Sequence, residues 1–305
     1  PQPTVAPPSA SLLSLLDVLG LHLSARPKLF ARVARLCAAA SRGLPAEAFE
    51  VADGPGAGVL ACVESAILPA LVVSETNAGL AMELWRLIEP MPYVVRYRMY
   101  TWMQELQTKP VQPELALARA RAADETKKMM RRLSKDNTKL YARHLGKISH
   151  SNPVVVFEGI LSQIQSYDNL IEPVVEMMRC LSPLSFDVLS YCILYQLTQS
   201  KSLLKDDGLN VSQWMTSLSS FCGHLYKRWP VMEAGGLLQY VVQTLKQGKT
   251  VPLILLRDLV TKMAGIETIE DLSSDQLHAL AGGETLRNCV VDVLGVAKNT
   301  KRSSS

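Results

Sequence analysis

The stretch HSNPVVVFEGILSQIQSYDNLIEPVV, residues 150–175, decides between an enzyme and a helical scaffold. It sets His150 beside Ser151 and reaches Asp168 further on, which are the residue types of a nucleophilic active site. No acid can be argued to lie beside the His–Ser pair. Pro153 instead suits the first position of a helix, with Ser151 or Asn152 as its cap.

The residues after Pro153 follow helical spacing, which favours the scaffold. An apolar stripe recurs at intervals of three and four residues: Phe157, Ile160, Leu161 and Ile164. Asp168 and Asn169 mark a turn, and Asn169 with Glu172 resembles a capping box for the next helix. The stretch therefore predicts two consecutive helices and no catalytic group.

The same pattern extends in both directions along the chain. Upstream, the spacing predicts helices near 10–19, 27–41, 57–72, 77–88, 92–107 and 113–134. Downstream, Ser182-Pro183 opens a helix, and Asn210 is the predicted cap of a stripe that reads Val211, Trp214, Met215, Leu218, Cys222 and Leu225. A later helix begins at Pro252 and ends at Gly265, with the predicted stripe Leu256, Leu259, Val260 and Met263.

Strand signals are almost absent, so the predicted fold class is all-α. Helices of this length joined by short turns form a HEAT-like helical repeat solenoid or a helical bundle. Hydrophobic residues make up 48% of the chain and charged residues 20%, which is enough to bury a core. The apolar run from Ala57 to Val73 contains Glu64 and Pro69, so we interpret it as a buried helix and expect no membrane contact.

Sequence motifs typical of catalytic, phosphate-binding or metal sites are weak in this chain. Gly54–Gly58 and the Gly-Lys-Thr at 248–250 lack the strand and glycine spacing of a phosphate loop. Six scattered cysteines without a C-x-x-C pair indicate buried thiols in a reducing compartment. Five histidines show no metal-ligand spacing. We therefore expect no enzyme activity, no cofactor and no metal site.

One window is strongly basic. Residues 119–147 hold ten Lys or Arg against three Asp or Glu. Lys128, Arg131, Arg132 and Lys135 have the spacing of a positive ridge on one helix, with Ala122, Met129 and Leu133 on its buried side. The candidate contact residues are Lys127, Lys128, Arg131, Arg132, Lys135, Arg143 and Lys147. The ridge suits phosphates, but no aromatic side chain interleaves for base stacking. The alternative interpretations of this ridge are a solvated helix face and a contact with an acidic protein surface.

Several segments together resemble the THO complex subunit 2 family, the large scaffold subunit of the nuclear THO complex. The resemblance is most extensive from about Pro90 to Ile266. The matching segments, in chain order, are residues 91–100, 131–137, 150–175, 181–192, 212–223, 236–242, 262–266 and 282–286.

The resemblance implies a non-catalytic nuclear scaffold that supports mRNA export. Its implied partners are other THO complex subunits and a DEAD-box RNA helicase. It also implies an N-terminal helical repeat segment (1–149) and a helical domain (150–296) similar to the middle domain of translation initiation factor four-G. Residues 297–305 would be a polar tail of an internal fragment. The helicase contact rests on fold analogy, and a direct RNA-binding module using 119–147 is the alternative.

Overall fold

The computed structural model describes residues 8–50, 54, 56–108, 112–199, 201–205, 210–265, 288–289 and 292. Within these residues the helices are α1 (Ala10–Leu19), α2 (Pro27–Ser41), α3 (Ala57–Cys62), α4 (Leu68–Val73), α5 (Ala78–Ile88), α6 (Tyr93–Thr108), α7 (Pro113–Arg132), α8 (Thr138–Ser149), α9 (Pro153–Ser166), α10 (Ile171–Met177), α11 (Pro183–Thr198), α12 (Gln213–Arg228), α13 (Gly235–Lys246) and α14 (Leu253–Ala264). The only strand-type pairing described there is one isolated bridge between Leu204 and Val211. The all-α prediction is confirmed.

The chain divides into two compact units, Pro1–Ala264 and Gly265–Ser305. In the first, one hydrophobic core runs from Leu16 to Leu259. This core includes residues on both sides of position 150, so the predicted boundary there stays a prediction. In the second, only Gly265, residues 288–289 and residue 292 are described, and the predicted tail 297–305 lies outside them.

Several helices begin at a proline or at a capping side chain. Proline occupies the first helical position of α2, α7, α9 and α11, where its missing N–H leaves no hydrogen bond unmade. The Ser182 hydroxyl accepts a hydrogen bond from the backbone N–H of Ser185 at 3.2 Å, and the Asn77 side chain accepts one from Gly79 at 3.0 Å.

The predicted helix 57–72 contains a widened turn. Between α3 and α4, Val63–Ile67 forms a π-helical turn. Pro69, at the start of α4, has no N–H to return to the Ser65 carbonyl, and such a break favours local rearrangement of the hydrogen-bond ladder. The helix is buried on most sides, as predicted. No helix among the described residues combines the length and apolar character needed to cross a membrane.

From α7 onward the helices pack in two rows. One row joins α7 to α9, α9 to α11 and α11 to α13, and the other joins α8 to α10, α10 to α12 and α12 to α14. Each helix therefore contacts the helix two places further along the chain. Helix α11 lies inside this arrangement and is buried on nearly every side, which explains its mixed apolar and small polar sequence.

The contact between α12 and α14 is unusually close because Gly223 lies in it. A Cβ placed on Gly223 would lie 2.7 Å from the carbonyl oxygen of Asp258. This approach turns the Leu255 and Leu259 side of α14 into the core, whereas Val260 and Met263 are exposed. The predicted stripe on α14 is confirmed for Leu259 and wrong for Val260 and Met263, since the helix has two apolar faces and the sequence does not say which one meets α12.

Three predicted caps were wrong. Leu170 precedes α10 without a side-chain cap, and Asn169 lies in a 3-10 turn, Asp168–Leu170. Ser212 precedes α12 in place of Asn210, because Asn210 lies beside the Leu204–Val211 bridge, where its carbonyl accepts from Lys205 N–H at 2.8 Å. Asn152 does hold the position before α9, but its side chain makes no cap.

Candidate functional site

The basic window begins on α7, which separates its apolar and charged sides. Ala122, Met129 and Leu133 are buried, as predicted. The exposed side carries four of the predicted cations: Lys127, Lys128, Arg131 and Arg132. These side chains lie in the last two turns of the helix, where positive charge is also favoured by the helix dipole.

Asn137 ends α7 and turns the chain into α8. Its side-chain N–H donates to the Arg132 carbonyl at 2.7 Å, and its side-chain oxygen accepts from the Ser134 backbone N–H at 2.9 Å. Leu133 has extended backbone angles, so the helix stops there. Because this turn is short, the C-terminal end of α7 and the start of α8 are neighbours.

Two predicted cations already have carboxylate partners. Lys135 lies in the 3-10 turn Lys135–Asn137, off α7, and its Nζ is 3.1 Å from Oε2 of Glu172. This hydrogen bond lowers the pKa of Glu172. Lys128 Nζ is 2.6 Å from Oδ2 of Asp124. The predicted four-residue ridge on one helix was therefore wrong for Lys135, because α7 ends before it.

Helix α8 adds Lys139, a cation that was not among the predicted contact residues. Lys139, Arg143 and Lys147 are exposed and recur every four residues, whereas Ala142 and Leu145 are buried. The spacing alone would have identified Lys139, since i, i+4 and i+8 share one helix face.

Six cations of the two helices have no ion pair with the described residues. Within that part of the chain, no carboxylate oxygen lies within 4.0 Å of any of them: Lys127, Arg131, Arg132, Lys139, Arg143 and Lys147. We call these six residues the α7–α8 basic surface. Unneutralised, exposed cations on adjoining helices attract anionic ligands over about a Debye length, roughly 8–10 Å in ordinary salt.

The His150–Ser151 pair has no catalytic geometry. Asn152 Nδ2 donates to the Val72 carbonyl at 3.1 Å and to the Ser151 hydroxyl at 3.1 Å. No hydrogen bond among the described residues joins Ser151 to His150, and His150 Nδ1 is buried without a hydrogen-bond partner there. Burial lowers the pKa of His150. The segment starts a helix and ties α9 to the end of α4.

The sequence patterns did not predict the buried charged cluster around Arg96. The Arg96 guanidinium donates from Nε to Asp187 Oδ2 at 2.8 Å, from Nη2 to Asp187 Oδ1 at 3.0 Å, and from Nη2 to Glu233 Oε2 at 2.9 Å. Tyr100 donates to Asp187 at 2.6 Å. Burial alone would lower the pKa of Arg96, but the hydrogen bond and charge of Asp187, with the hydrogen bond of Glu233, raise it overall.

The cysteines and acidic side chains form no metal-type cluster in the described part of the chain. No group of three or more His, Cys, Asp or Glu side chains there is placed to hold a metal ion. All six cysteines are free thiols. Four of them are buried, while Cys180 and Cys289 are exposed, which corrects the expectation that all are buried.

Comparison with known proteins identifies the family. Residues 10–143 match the model described as THO complex subunit 2 N-terminus, and residues 145–219 match the model described as transcription- and export-related complex subunit. The human THO complex subunit 2 is 41% identical over 293 residues, 94% of this chain and 18% of the relative.

The similarity reaches distant organisms. The Arabidopsis thaliana THO complex subunit 2 is 40% identical over 260 residues, 83% of this chain and 14% of the relative. The Saccharomyces cerevisiae protein of the same name is 26% identical over 273 residues, 89% of this chain and 17% of the relative. The chain thus spans less than a fifth of the length of these curated relatives. The chain belongs to the THO complex subunit 2 family.

Proposed function

We propose that this chain is a non-catalytic helical scaffold of the nuclear THO complex that supports mRNA packaging and export. Its family membership supports a role in that complex. The fold would be a HEAT-like solenoid over 1–149 that continues into a helical domain, 150–296, of the type found in the middle of translation initiation factor four-G. The two-row stacking from α7 to α14 supports this, because stacked helix pairs are typical of α-solenoids.

The observation that carries the scaffold function is the second apolar face of the last helices. Helix α14 packs Leu255 and Leu259 into the core, while Val260 and Met263 are each 53% exposed. On α13, Leu238 and Val242 are exposed in the same way. Apolar side chains grouped on one exposed face indicate a contact with another protein surface.

The partners of this scaffold would be other THO complex subunits and a DEAD-box RNA helicase. The helicase would dock on the 150–296 domain by analogy with middle-domain folds. The apolar faces of α13 and α14 belong to that domain, and they offer the kind of surface that a protein partner covers.

A pull-down tests this function. The chain is immobilised and offered purified THO subunits and the helicase. The variant Val260→Glu/Met263→Glu introduces charge into the exposed face and is expected to reduce capture at least tenfold. Leu140→Glu is the matched control, since Leu140 is exposed on α8. Equal capture by the unchanged chain and both variants, or no capture by any of them, would remove the support for docking on this face.

A second candidate function is direct RNA binding, and the α7–α8 basic surface favours it. Its six cations have no ion pair with the described residues, so they can neutralise phosphates without first breaking an ion pair there. The surface has no stacking platform of alternating aromatic side chains, so the expected binding is independent of sequence and weakened by salt.

A further inference from the structure

A pocket of about 450 Å³ opens to the surface between α5, α6, α11 and the turn that joins α12 to α13. Its size lies in the range of pockets that hold a small ligand or a few side chains. The residues that matter for its chemistry are Trp85, Glu89, Arg96, Phe186, Val231 and Glu233. Neither the family relationship nor the basic surface accounts for this pocket.

The pocket is acidic although it contains an arginine. Arg96 is held by Asp187 and Glu233, so its charge is already compensated. Glu89 also lines the pocket, and among the described residues no basic nitrogen lies within 4.0 Å of its carboxylate. Three carboxylates against one guanidinium leave a formal excess of two negative charges.

Glu233 keeps a free hydrogen-bond acceptor in this pocket, whereas both oxygens of Asp187 already accept hydrogen bonds. Glu233 uses Oε2 for Arg96, and within the described part of the chain its Oε1 accepts no hydrogen bond. The Glu233 side chain is 57% exposed. A cationic side chain that enters the pocket can therefore donate a hydrogen bond to Oε1 of Glu233 without displacing Arg96.

The remaining walls are apolar and aromatic. Trp85 and Phe186 are half-buried, and Val231 is 76% exposed at the rim. The Arg96 guanidinium already lies over the Trp85 ring, 5.9 Å from its centroid. The exposed aromatic and apolar surface beside Glu89 and Glu233 favours a second guanidinium or ammonium group on an apolar stem. The same carboxylates repel phosphate, so the pocket disfavours RNA.

We propose that this pocket binds an arginine or lysine side chain, next to an apolar residue, in a segment of a protein partner. The cation would lie between Glu89 and Glu233, and the apolar neighbour would cover Val231 and Phe186. This inference rests on the scaffold function and specifies the chemistry of one partner segment. Aromatic and arginine anchors in pockets of this kind often dominate an interface.

The test uses the whole chain and a defined probe, N-acetyl-leucyl-arginine amide, followed through the indole N–H signals of the four tryptophans. The signal of Trp85, assigned with Trp85→Phe, is expected to move in a saturable way, while those of Trp102 and Trp214 stay in place. The citrulline analogue keeps the shape but lacks the charge, and it is expected to bind about tenfold more weakly, as for removal of a charge-assisted hydrogen bond.

Charge-neutral variants complete the design. Glu89→Gln/Glu233→Gln is expected to reduce the affinity for the arginine probe about tenfold, whereas Glu105→Gln, an exposed position on α6, leaves it unchanged. Equal binding of the citrulline probe, no shift of Trp85, or unchanged affinity in the double variant overturns the proposal. Because the probe contains no THO subunit, these outcomes are independent of the pull-down that tests the scaffold function.

Discussion

Arg96 and Asp187 lie 91 residues apart and form a two-point ion pair in the core, with Nε 2.8 Å from Oδ2 and Nη2 3.0 Å from Oδ1. Both side chains are more than nine-tenths buried. The pair joins α6 to α11, and through Glu233 it reaches the turn before α13. It therefore fastens the earlier helices of the first unit to the later ones.

Removing one member of this pair is expected to destabilise the fold strongly. Asp187→Ala leaves a buried guanidinium with reduced compensation, which costs about 3–5 kcal/mol. The double variant Arg96→Met/Asp187→Leu is expected to lose less than the single one, because it removes both charges. Urea unfolding of each variant measures the difference in free energy of unfolding.

An exposed ion pair provides the control for that series. Arg121 pairs with Glu75 at 3.5 Å, and the two side chains are 62% and 86% exposed. Arg121→Met is expected to change the stability little, since exposed pairs contribute little. Equal losses for Arg121→Met and Asp187→Ala would contradict the role given to burial.

Gly223 is expected to tolerate no side chain. Its added Cβ would meet the Asp258 carbonyl at 2.7 Å, so Gly223→Ala must push α14 away from α12. The expected loss is about 1–3 kcal/mol, with faster amide exchange in α14. Gly235→Ala is the control, because a Cβ there meets only ordinary contacts at 3.7 Å or more with Glu233. Slowed or unchanged exchange in Gly223→Ala would show that the contact is looser than described.

Acid is expected to weaken the fold through two histidines. Burial lowers the pKa of His150, and burial with the nearby Lys262 lowers that of His224, both from an ordinary value of 6.5. The unfolded chain therefore binds these protons at higher pH than the folded chain. Their stabilisation is present above about pH 6.5 and is lost as the pH falls.

The measurement is the free energy of unfolding between about pH 7.5 and about pH 5.5. The variant His150→Gln/His224→Gln is expected to flatten this dependence, whereas His22→Gln, at an exposed position, keeps it. An equally steep fall in the double variant would mean that other groups take up the protons.

The α7–α8 basic surface makes a prediction for RNA. Reversing Arg131, Arg132, Arg143 and Lys147 to Glu is expected to weaken binding of single-stranded RNA. The slope of the logarithm of the binding constant against the logarithm of the salt concentration is expected to become shallower by about 0.7 for each phosphate that is no longer neutralised. Reversal of four exposed cations elsewhere, Lys28, Arg32, Lys246 and Lys249, changes the net charge equally. If both variants lose the same affinity, the binding reflects net charge and has no site on α7 and α8.

Helix positions were predictable from the sequence because their signals are local. Pro113, Pro153 and Pro183 each begin a helix as predicted, and Gly265 ends one with a φ of 70°. Proline at a first turn and glycine past a last turn depend only on the neighbouring backbone.

Pairings between distant residues were not predictable in this way. The partner of Lys135 is Glu172, 37 residues later, and that ion pair removes Lys135 from the cations without a carboxylate partner. The side chain of Asn152 donates a hydrogen bond to the Val72 carbonyl, 80 residues earlier. Such contacts depend on how the helices stack, which helical periodicity alone does not specify.

The scaffold function is tested most directly by crosslinking mass spectrometry of the assembled THO complex that contains this chain. The expected result is a set of cross-links from Lys246, Lys249 and Lys262, on or beside α13 and α14, to other THO subunits or to the helicase. Failure of the chain to join the complex, or cross-links from these lysines only to its own residues, would contradict a scaffold that holds partners through the faces of its last helices.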